Sequence, residues 1–182
     1  MKKLVLIIAI VMAPFVTQAQ TSIFDKYDGQ DGITTIVVTK KAFELMNTMA
    51  SGSSSEEAQE YAELIGGLKG LRVFTTEDKA IADDMKNTVN KYLKSSKLSE
   101  LMRVSDKEAD VKIYIKEGRD SDHVEELLMF VNGLEKHFDG HEGRSAEAVI
   151  VSLVGDIDLT KIAQLTEEMN ISGSEHLKKA GE

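Results

Sequence analysis

The feature that most constrains the fold is a β-strand pattern in the last third of the chain. In the segment 111–116 (VKIYIK), Val111, Ile113 and Ile115 alternate with two lysines and a tyrosine. Successive side chains of a strand point to opposite faces, so a period of two places these three apolar residues on one face and the lysines on the other. The chain is therefore expected to be organised around a β-sheet.

A second, inner strand is predicted at 148–154 (AVIVSLV). This segment is rich in β-branched residues, as expected of a strand that is covered on one or both faces. Alternate residues should lie on opposite sides, with Val149, Val151 and Leu153 on one and Ile150 and Val154 on the other. An aspartate replacing Val151 would then be a buried, unpaired carboxylate that costs several kcal/mol.

Upstream, strand and helix patterns alternate along the chain. Strands are predicted at 33–39, 71–75 and 101–104, and helices at 41–50, after the capping pair Ser54 and Glu57, and at 78–94. This order, followed by several adjacent strands, predicts an α+β fold. We expect a mixed, largely antiparallel sheet of about six strands, with the helices packed mainly on one face.

The segment 123–133 is compatible with two structures. Its apolar residues fit one side of a helix that Asp122 and Glu125 would cap, and they also fit a strand buried on both faces. Periodicity does not decide between helix and strand for so short an apolar run. The Asn132-Gly133 step would end a strand naturally and would be unfavourable inside a helix.

The N-terminus has the pattern of a secretory signal peptide. A basic start at Lys2 and Lys3 precedes the apolar run 4–13, and the small residues Thr17 and Ala19 stand where a signal peptidase requires them. The alternative is a retained membrane anchor, but the apolar run is short for a membrane span. We expect residues 1–19 to be removed and residues 20–182 to form a single α+β domain.

Composition limits the classes of function that remain. The chain has no cysteine, which excludes lipid attachment through an N-terminal cysteine, disulfides, thiol catalysis and thiolate metal sites. Removing residues 1–19 takes away two lysines and no acidic residue, so the net charge of −9 becomes −11. Such an acidic protein is a poor partner for nucleic acid or an anionic membrane surface. We expect an exported protein of the periplasm or the extracellular space that is not a lipoprotein and is not stably inserted in a membrane.

Four segments together resemble a known family. They are IFDKYDGQDGITTIVV, ELMRVSDKEADVKIYIKEG, EELLMFVNG and VSLVGDIDLTKIAQLTEEMNISGSEHLKK, and the resemblance spans about residues 22–179. The chain is similar in these segments to the family called domain of unknown function 4252, whose members are exported proteins found mainly in the Bacteroidetes. The GDIDL motif followed by a helix is the most specific part of this resemblance.

The resemblance has three implications. In the family, EELLMFVNG and VSLVGDIDL are joined by a short turn, which implies a β-hairpin and therefore a strand at 123–133. Here the connection 134–147 is longer than the family pattern, so the tip of the hairpin should be longer as well. The family has no established activity and no catalytic motif to carry over, and its genes often lie near sigma-factor genes, which implies a role in envelope signalling.

Two groups of residues could in principle bind a metal ion. His137 and His141 have the spacing of two ligands on one helical face, but glycines at 140 and 143 break the helix that this geometry needs. Asp25, Asp28 and Asp31 could ligate calcium, although their spacing is not that of an EF-hand and two Asp-Gly turns explain them as well. We therefore predict no metal and no cofactor.

The acidic pair Asp156 and Asp158 could be mistaken for a catalytic site. Asp158 is better interpreted as the N-cap of a helix that starts at Leu159, and Asp156 fits a turn position. The sequence also contains no G-x-S-x-G, no H-E-x-x-H, no phosphate-binding glycine loop and no dinucleotide fingerprint. No catalytic residue is predicted.

The resulting hypothesis is a non-enzymatic binding module of the bacterial envelope. Its partner would be another envelope protein or a peptide, contacted by Leu134 and Phe138 at the hairpin tip or by Lys112, Tyr114 and Lys116 on the outer face of the sheet. The alternative is a small-ligand carrier or an enzyme whose acidic residues converge only in three dimensions. A pocket lined by buried acids would favour the alternative, and a flat sheet face or an exposed edge would favour the binding module.

Overall fold

A computed structural model describes residues 22–105, 110–134 and 146–162. These residues form one six-stranded sheet in the order β1-β2-β6-β5-β4-β3, in which every neighbouring pair is antiparallel. The strands are β1 (Ile33–Thr39), β2 (Leu68–Thr76), β3 (Ser99–Ser105), β4 (Asp110–Glu117), β5 (His123–Leu134) and β6 (Ala146–Asp158). The helices are α1 (Lys40–Ser51), α2 (Glu56–Ile65) and α3 (Lys79–Ser95), Asp25–Tyr27 form a short 3-10 helix, and another helix begins at residue 159 directly after β6. The predicted fold class is confirmed.

The ambiguous segment is a strand. It forms β5, as the resemblance implies, and the helical alternative that Asp122 and Glu125 would have capped is not observed. Instead, the carboxylate of Asp120 accepts hydrogen bonds from the backbone N–H groups of Asp122 and His123 and shapes the turn between β4 and β5. Each of the strands β3, β4 and β5 therefore pairs with the strand that follows it in the chain, and β2 pairs with the edge of β6 opposite β5.

Helix α3 covers one face of the sheet. Asp78 caps its N-terminus by accepting hydrogen bonds from the N–H groups of Ala80 and Ile81 at 2.8 and 3.0 Å. The helix then buries one apolar stripe against the centre of the sheet, where Phe74, Leu128 and Ile150 are fully buried. The stripe consists of Ala82, Met85 and Val89, at the spacing of an amphipathic helix. We call this side of the sheet the covered face.

The residues before β1 complete the same core. Phe24 and Tyr27 are buried against the covered face, and the Phe24 and Tyr92 rings pack edge to face with 5.3 Å between their centroids. Gly29 and Gly32 have positive φ angles of 71° and 82°, which confirms the predicted turns before β1.

Helices α1 and α2 form a separate pair between β1 and β2. The N-cap of α2 is Ser55 and not the predicted Ser54, since the Ser55 hydroxyl accepts the hydrogen bond from the N–H of Ala58. The Asn47 side chain holds the two helices together by donating to the carbonyl of Ala62. None of the helices in the described part of the chain is long and apolar enough to cross a membrane.

Candidate functional site

The second face of the sheet is apolar in all six strands. Strand register places one residue of each strand in a continuous central row, with apolar neighbours on either side. The central row is Ile36, Val73, Val151, Met129, Ile113 and Met102. The flanking apolar residues are Val38, Leu71, Leu153, Leu127 and Ile115 on one side and Val149, Val131, Val111 and Val104 on the other. We call these fifteen residues the open face.

The open face differs from the covered face in burial. Of its fifteen residues, only Val131 is buried, whereas Phe74, Ile150 and Leu128 on the covered face are completely inaccessible. The exposure is greatest at its two ends, where Ile36 is 52% and Val104 is 40% exposed. Adjacent residues of the inner strands therefore have different environments, because only one side of the sheet carries helix α3.

The predicted inner strand is confirmed, but its environment differs from the expectation. Val149, Val151 and Leu153 do lie on one side of β6, with Ile150 and Val154 on the other. The expectation that Val151 is buried is wrong, because its side chain lies on the open face and is partly accessible to solvent.

The three β4 residues expected on the outer face lie on the covered face instead. Tyr114 packs against the main core, and Lys112 and Lys116 form ion pairs with Asp110 at 3.0 Å and Glu125 at 2.6 Å. Alternation showed correctly that these three residues share a face. Alternation gave no information on which face helix α3 covers. The structure places the apolar residues of β4 on the open face.

Of the two residues predicted to contact a partner at the hairpin tip, the structure describes only Leu134. Leu134 is the last residue of β5 and pairs with Ala146 of β6. Phe138 lies outside the described residues, and so do His137 and His141.

A single acidic side chain is buried in the described part of the chain. Glu126 is 9% exposed, and the Tyr92 hydroxyl lies 2.9 Å from both of its carboxylate oxygens. Burial raises the pKa of Glu126 above its ordinary value, although the Tyr92 hydrogen bond and the charge of Lys116 oppose the increase. Burial and the Glu126 charge likewise raise the pKa of Tyr92, so its phenol stays protonated and acts as a donor.

A second polar cluster lies at the turn between β4 and β5. His123 is held by the carboxylate of Asp120 at 2.7 Å, and Arg119 bridges this turn to Asp156 at 3.3 Å. Asp158 accepts hydrogen bonds from the N–H groups of Thr160 and Lys161, which confirms its predicted capping role. Hydrogen-bond and ion-pair partners thus explain the acidic residues of this cluster as parts of the structure.

The aspartates near the start of the domain also have structural partners. Asp25 accepts a hydrogen bond from the N–H of Ser22 and forms an ion pair with Arg72 at 3.3 Å. Within residues 22–105, 110–134 and 146–162, no group of three histidine or acidic side chains is arranged to hold a metal ion.

Sequence reasoning missed both the open face and the Glu126–Tyr92 pair. The pair joins residues 34 positions apart, and no motif marks it. The open face had a partial signal in the apolar positions of 111–116, but a row across six strands becomes visible only when the register of every strand is known.

Comparison of the chain with known protein families supports the resemblance described above. No curated protein and no solved structure matches the chain. The family model described as "Domain of unknown function (DUF4252)" matches residues 27–165, from the buried Tyr27 to beyond the end of β6. Because this match covers well over half of the sequence, the protein belongs to the family of domain of unknown function 4252.

Proposed function

We propose that this protein is an exported, non-enzymatic binding module of the bacterial envelope, and that it binds another envelope protein or a peptide through the open face. One observation carries the proposal, namely the apolar row that crosses all six strands from Ile36 to Met102 without a charged side chain. Extended apolar surfaces of this kind mark interaction sites on soluble proteins.

The dimensions of the open face suit a protein partner. Neighbouring strands are about 4.8 Å apart, so the central row is roughly 24 Å wide, and the three rows extend about 14 Å along the strands. A protein or an extended peptide can cover a sheet face of this size, whereas a small ligand needs a concave pocket that surrounds it. The open face is therefore better suited to a macromolecular partner than to a small molecule.

The polar groups of the described residues support a binding role over catalysis. Glu126 is the only buried acid among them, and Tyr92 occupies both of its oxygens. The acids near His123 cap a helix end or pair with Arg119. A converging set of buried acids, which would favour an enzyme or a small-ligand carrier, is not found in this part of the chain.

Export is part of the proposal and rests on the N-terminal sequence. The apolar run 4–13 and the small residues Thr17 and Ala19 predict that the mature protein begins at Gln20. Intact-mass measurement of the protein recovered from the envelope tests this directly, and retention of residues 1–19 would contradict it. A connection with envelope signalling follows from the resemblance to the family and belongs to the same proposal.

Site-specific photocrosslinking in living cells tests the open face. A photoreactive benzoylphenylalanine at Ile113 lies on the open face, and the same residue at the neighbouring Tyr114 lies on the covered face of the same strand. We expect crosslinks to another protein from position 113 and none from position 114. Tyr114 is a matched control because an aromatic side chain already occupies it.

Three outcomes would contradict the proposal. They are no crosslink from position 113, equal crosslinks from both positions, and a product from position 113 that contains only a second copy of this chain. The last outcome would show that the open face is a self-association surface. Purification of the crosslinked product and mass spectrometry distinguish it from a complex with a different protein.

A further inference from the structure

The two edges of the sheet are protected to different degrees. At one edge, β3 contains the charged residues Glu100 and Arg103, and its register shifts between Glu100 and Met102. At the other edge, β1 pairs with β2 over seven residues without a register shift, and all seven of them (ITTIVVT) are uncharged and β-branched. Charges and bulges are the usual means by which proteins prevent an edge strand from pairing with another chain. β1 has neither.

Apolar side chains are exposed on both sides of β1. Ile36 points to the open face and is 52% exposed, and Val37 points to the covered face and is 45% exposed. A partner lying on one face of the sheet would bury only one of these two residues. A strand added along the edge would contact both of them. Each residue of the added strand points to the same face of the sheet as the β1 residue with which it is paired.

We propose that the free edge of β1 pairs antiparallel with β1 of a second copy of this chain, so that two sheets join into one continuous sheet of twelve strands. If the pairing is centred on Ile36, the two Ile36 side chains lie directly opposite each other, and Val37 lies opposite Thr35 of the other copy. No charged residue of either strand enters the pairing. The strand is thus complementary to itself about a twofold axis, as a symmetric dimer requires.

The distribution of charge favours a second copy at this edge. The whole chain has a net charge of −9, so two copies repel each other over most of their surfaces. The segment 33–51, which forms β1 and α1, contains Lys40, Lys41 and Glu44 as its only charged residues and is therefore slightly positive. Repulsion between two copies is consequently weakest where the two β1 strands would meet.

A second copy also fits better than a free peptide. Helix α1 begins directly after β1 and exposes Leu45 and Met49, which are 61% and 70% accessible and lie one turn apart. Two copies joined through β1 each bring an α1 that follows directly on the paired strand and carries these two accessible apolar side chains, whereas a single added peptide strand brings none. This inference rests on the edge strand and does not depend on the function proposed for the open face.

The oligomeric state of the exported protein tests the dimer. We expect light scattering coupled to size-exclusion chromatography to give twice the mass of one chain for the wild type, decreasing towards one chain on dilution. The double variant Ile36→Lys with Val37→Lys should give the mass of one chain at every concentration, because four lysines would then crowd one interface. Val104→Lys, beside Arg103 on β3, is the matched control and should remain dimeric.

Three results would overturn the proposal. They are a wild type that stays monomeric at the highest concentration, a double variant that remains dimeric, and loss of the dimer in Val104→Lys. The first two would exclude the β1 edge, and the third would move self-association to the open face. The crosslinks from position 113 report on the open face separately, so failure of one proposal leaves the other testable.

Hydrogen exchange of the wild type provides a test that does not depend on any variant folding. In a dimer joined through β1, the amides on the free side of that strand become hydrogen-bonded, so their exchange should slow as the protein concentration rises. The amides of β3 should exchange at a rate that is independent of concentration. Equal behaviour of the two edge strands would refute the inference.

Discussion

Replacing Tyr92 by phenylalanine should destabilise the protein because it removes the hydrogen-bond donor of a buried carboxylate. The Tyr92 hydroxyl lies 2.9 Å from both oxygens of Glu126, which is only 9% exposed. The aromatic ring also packs edge-on against Phe24, and phenylalanine retains this contact. The substitution therefore isolates the loss of one hydroxyl group.

The magnitude follows from the charge and burial of the acceptor. A hydrogen bond to a charged group contributes about 1.5–3 kcal/mol, and a buried carboxylate left without a donor loses that contribution. At neutral pH the free energy of unfolding should fall by roughly this amount. For a domain of this size, the melting temperature should decrease by roughly 3–12 °C, since each kcal/mol corresponds to about 2–4 °C.

The loss should depend on pH in a defined direction. The pKa of Glu126 is raised in the folded protein, so the folded state binds its proton more tightly than the unfolded chain does. The cost of its ionised form is absent below the ordinary value of 4.5 and develops as the pH rises through the folded pKa. Removing Tyr92 raises that pKa further, because the lost hydrogen bond had lowered it. The difference between wild type and variant should therefore be largest at neutral pH and shrink as the pH falls through the folded pKa values of Glu126, which lie above 4.5.

Urea unfolding at several pH values, followed by circular dichroism, measures this difference. Tyr61→Phe is the control, because Tyr61 is 43% exposed on α2 and should tolerate the same change with little effect. Glu126→Gln completes a double-mutant cycle and should make Tyr92→Phe much less costly. An unchanged stability at neutral pH, or a loss of equal size at pH 4 and pH 7, would refute the role assigned to the pair.

Three further substitutions test other parts of the structure. Asp78→Ala removes the N-cap of α3 and should lower the free energy of unfolding by about 1 kcal/mol in urea titrations, whereas Asp78→Ser should retain most of it. Gly155→Ala should cost roughly 2–4 kcal/mol, because φ is 152° and a Cβ would lie 2.5 Å from the carbonyl oxygen of Gly67; Gly52→Ala, with ordinary surroundings, should be nearly neutral. Val151→Asp should cost about 1–2 kcal/mol by thermal melting, less than a fully buried site would, since the open face leaves the carboxylate partly hydrated.

The positions of the strands could be predicted because strand periodicity is a local property. The predicted strand 33–39 coincides with β1, and the alternation in 111–116 places Val111, Ile113 and Ile115 on one face as observed. The segment 123–133 was ambiguous because its apolar residues occupy both parities. Its pairing with β4 and β6 decides the structure, and that pairing depends on residues distant in the sequence.

The environment of each face could not be predicted because alternation does not show where a helix packs. Lys112 and Lys116 have the polarity expected of an outer face, yet they lie on the side of α3, near the rim of the sheet where ion pairs with Asp110 and Glu125 remain accessible to water. Helix α3 covers β2, β6 and β5, where Phe74 and Phe130 supply large aromatic side chains. The apolar face of β4 is left open as a result.

The edge of β1 and the open face have a geometric relation that bears on binding. Directly opposed residues of an antiparallel ladder lie on the same face of the sheet, so pairing of two β1 strands would place both open faces on one side. The central rows of the two copies would then be continuous, joined at the two Ile36 side chains, and would form one apolar surface about twice as wide as that of a single chain. A partner with two binding elements could engage both halves, and its second contact would form at high effective concentration without any additional type of interaction. Dimerisation through β1 would thus strengthen binding at the open face without occupying it.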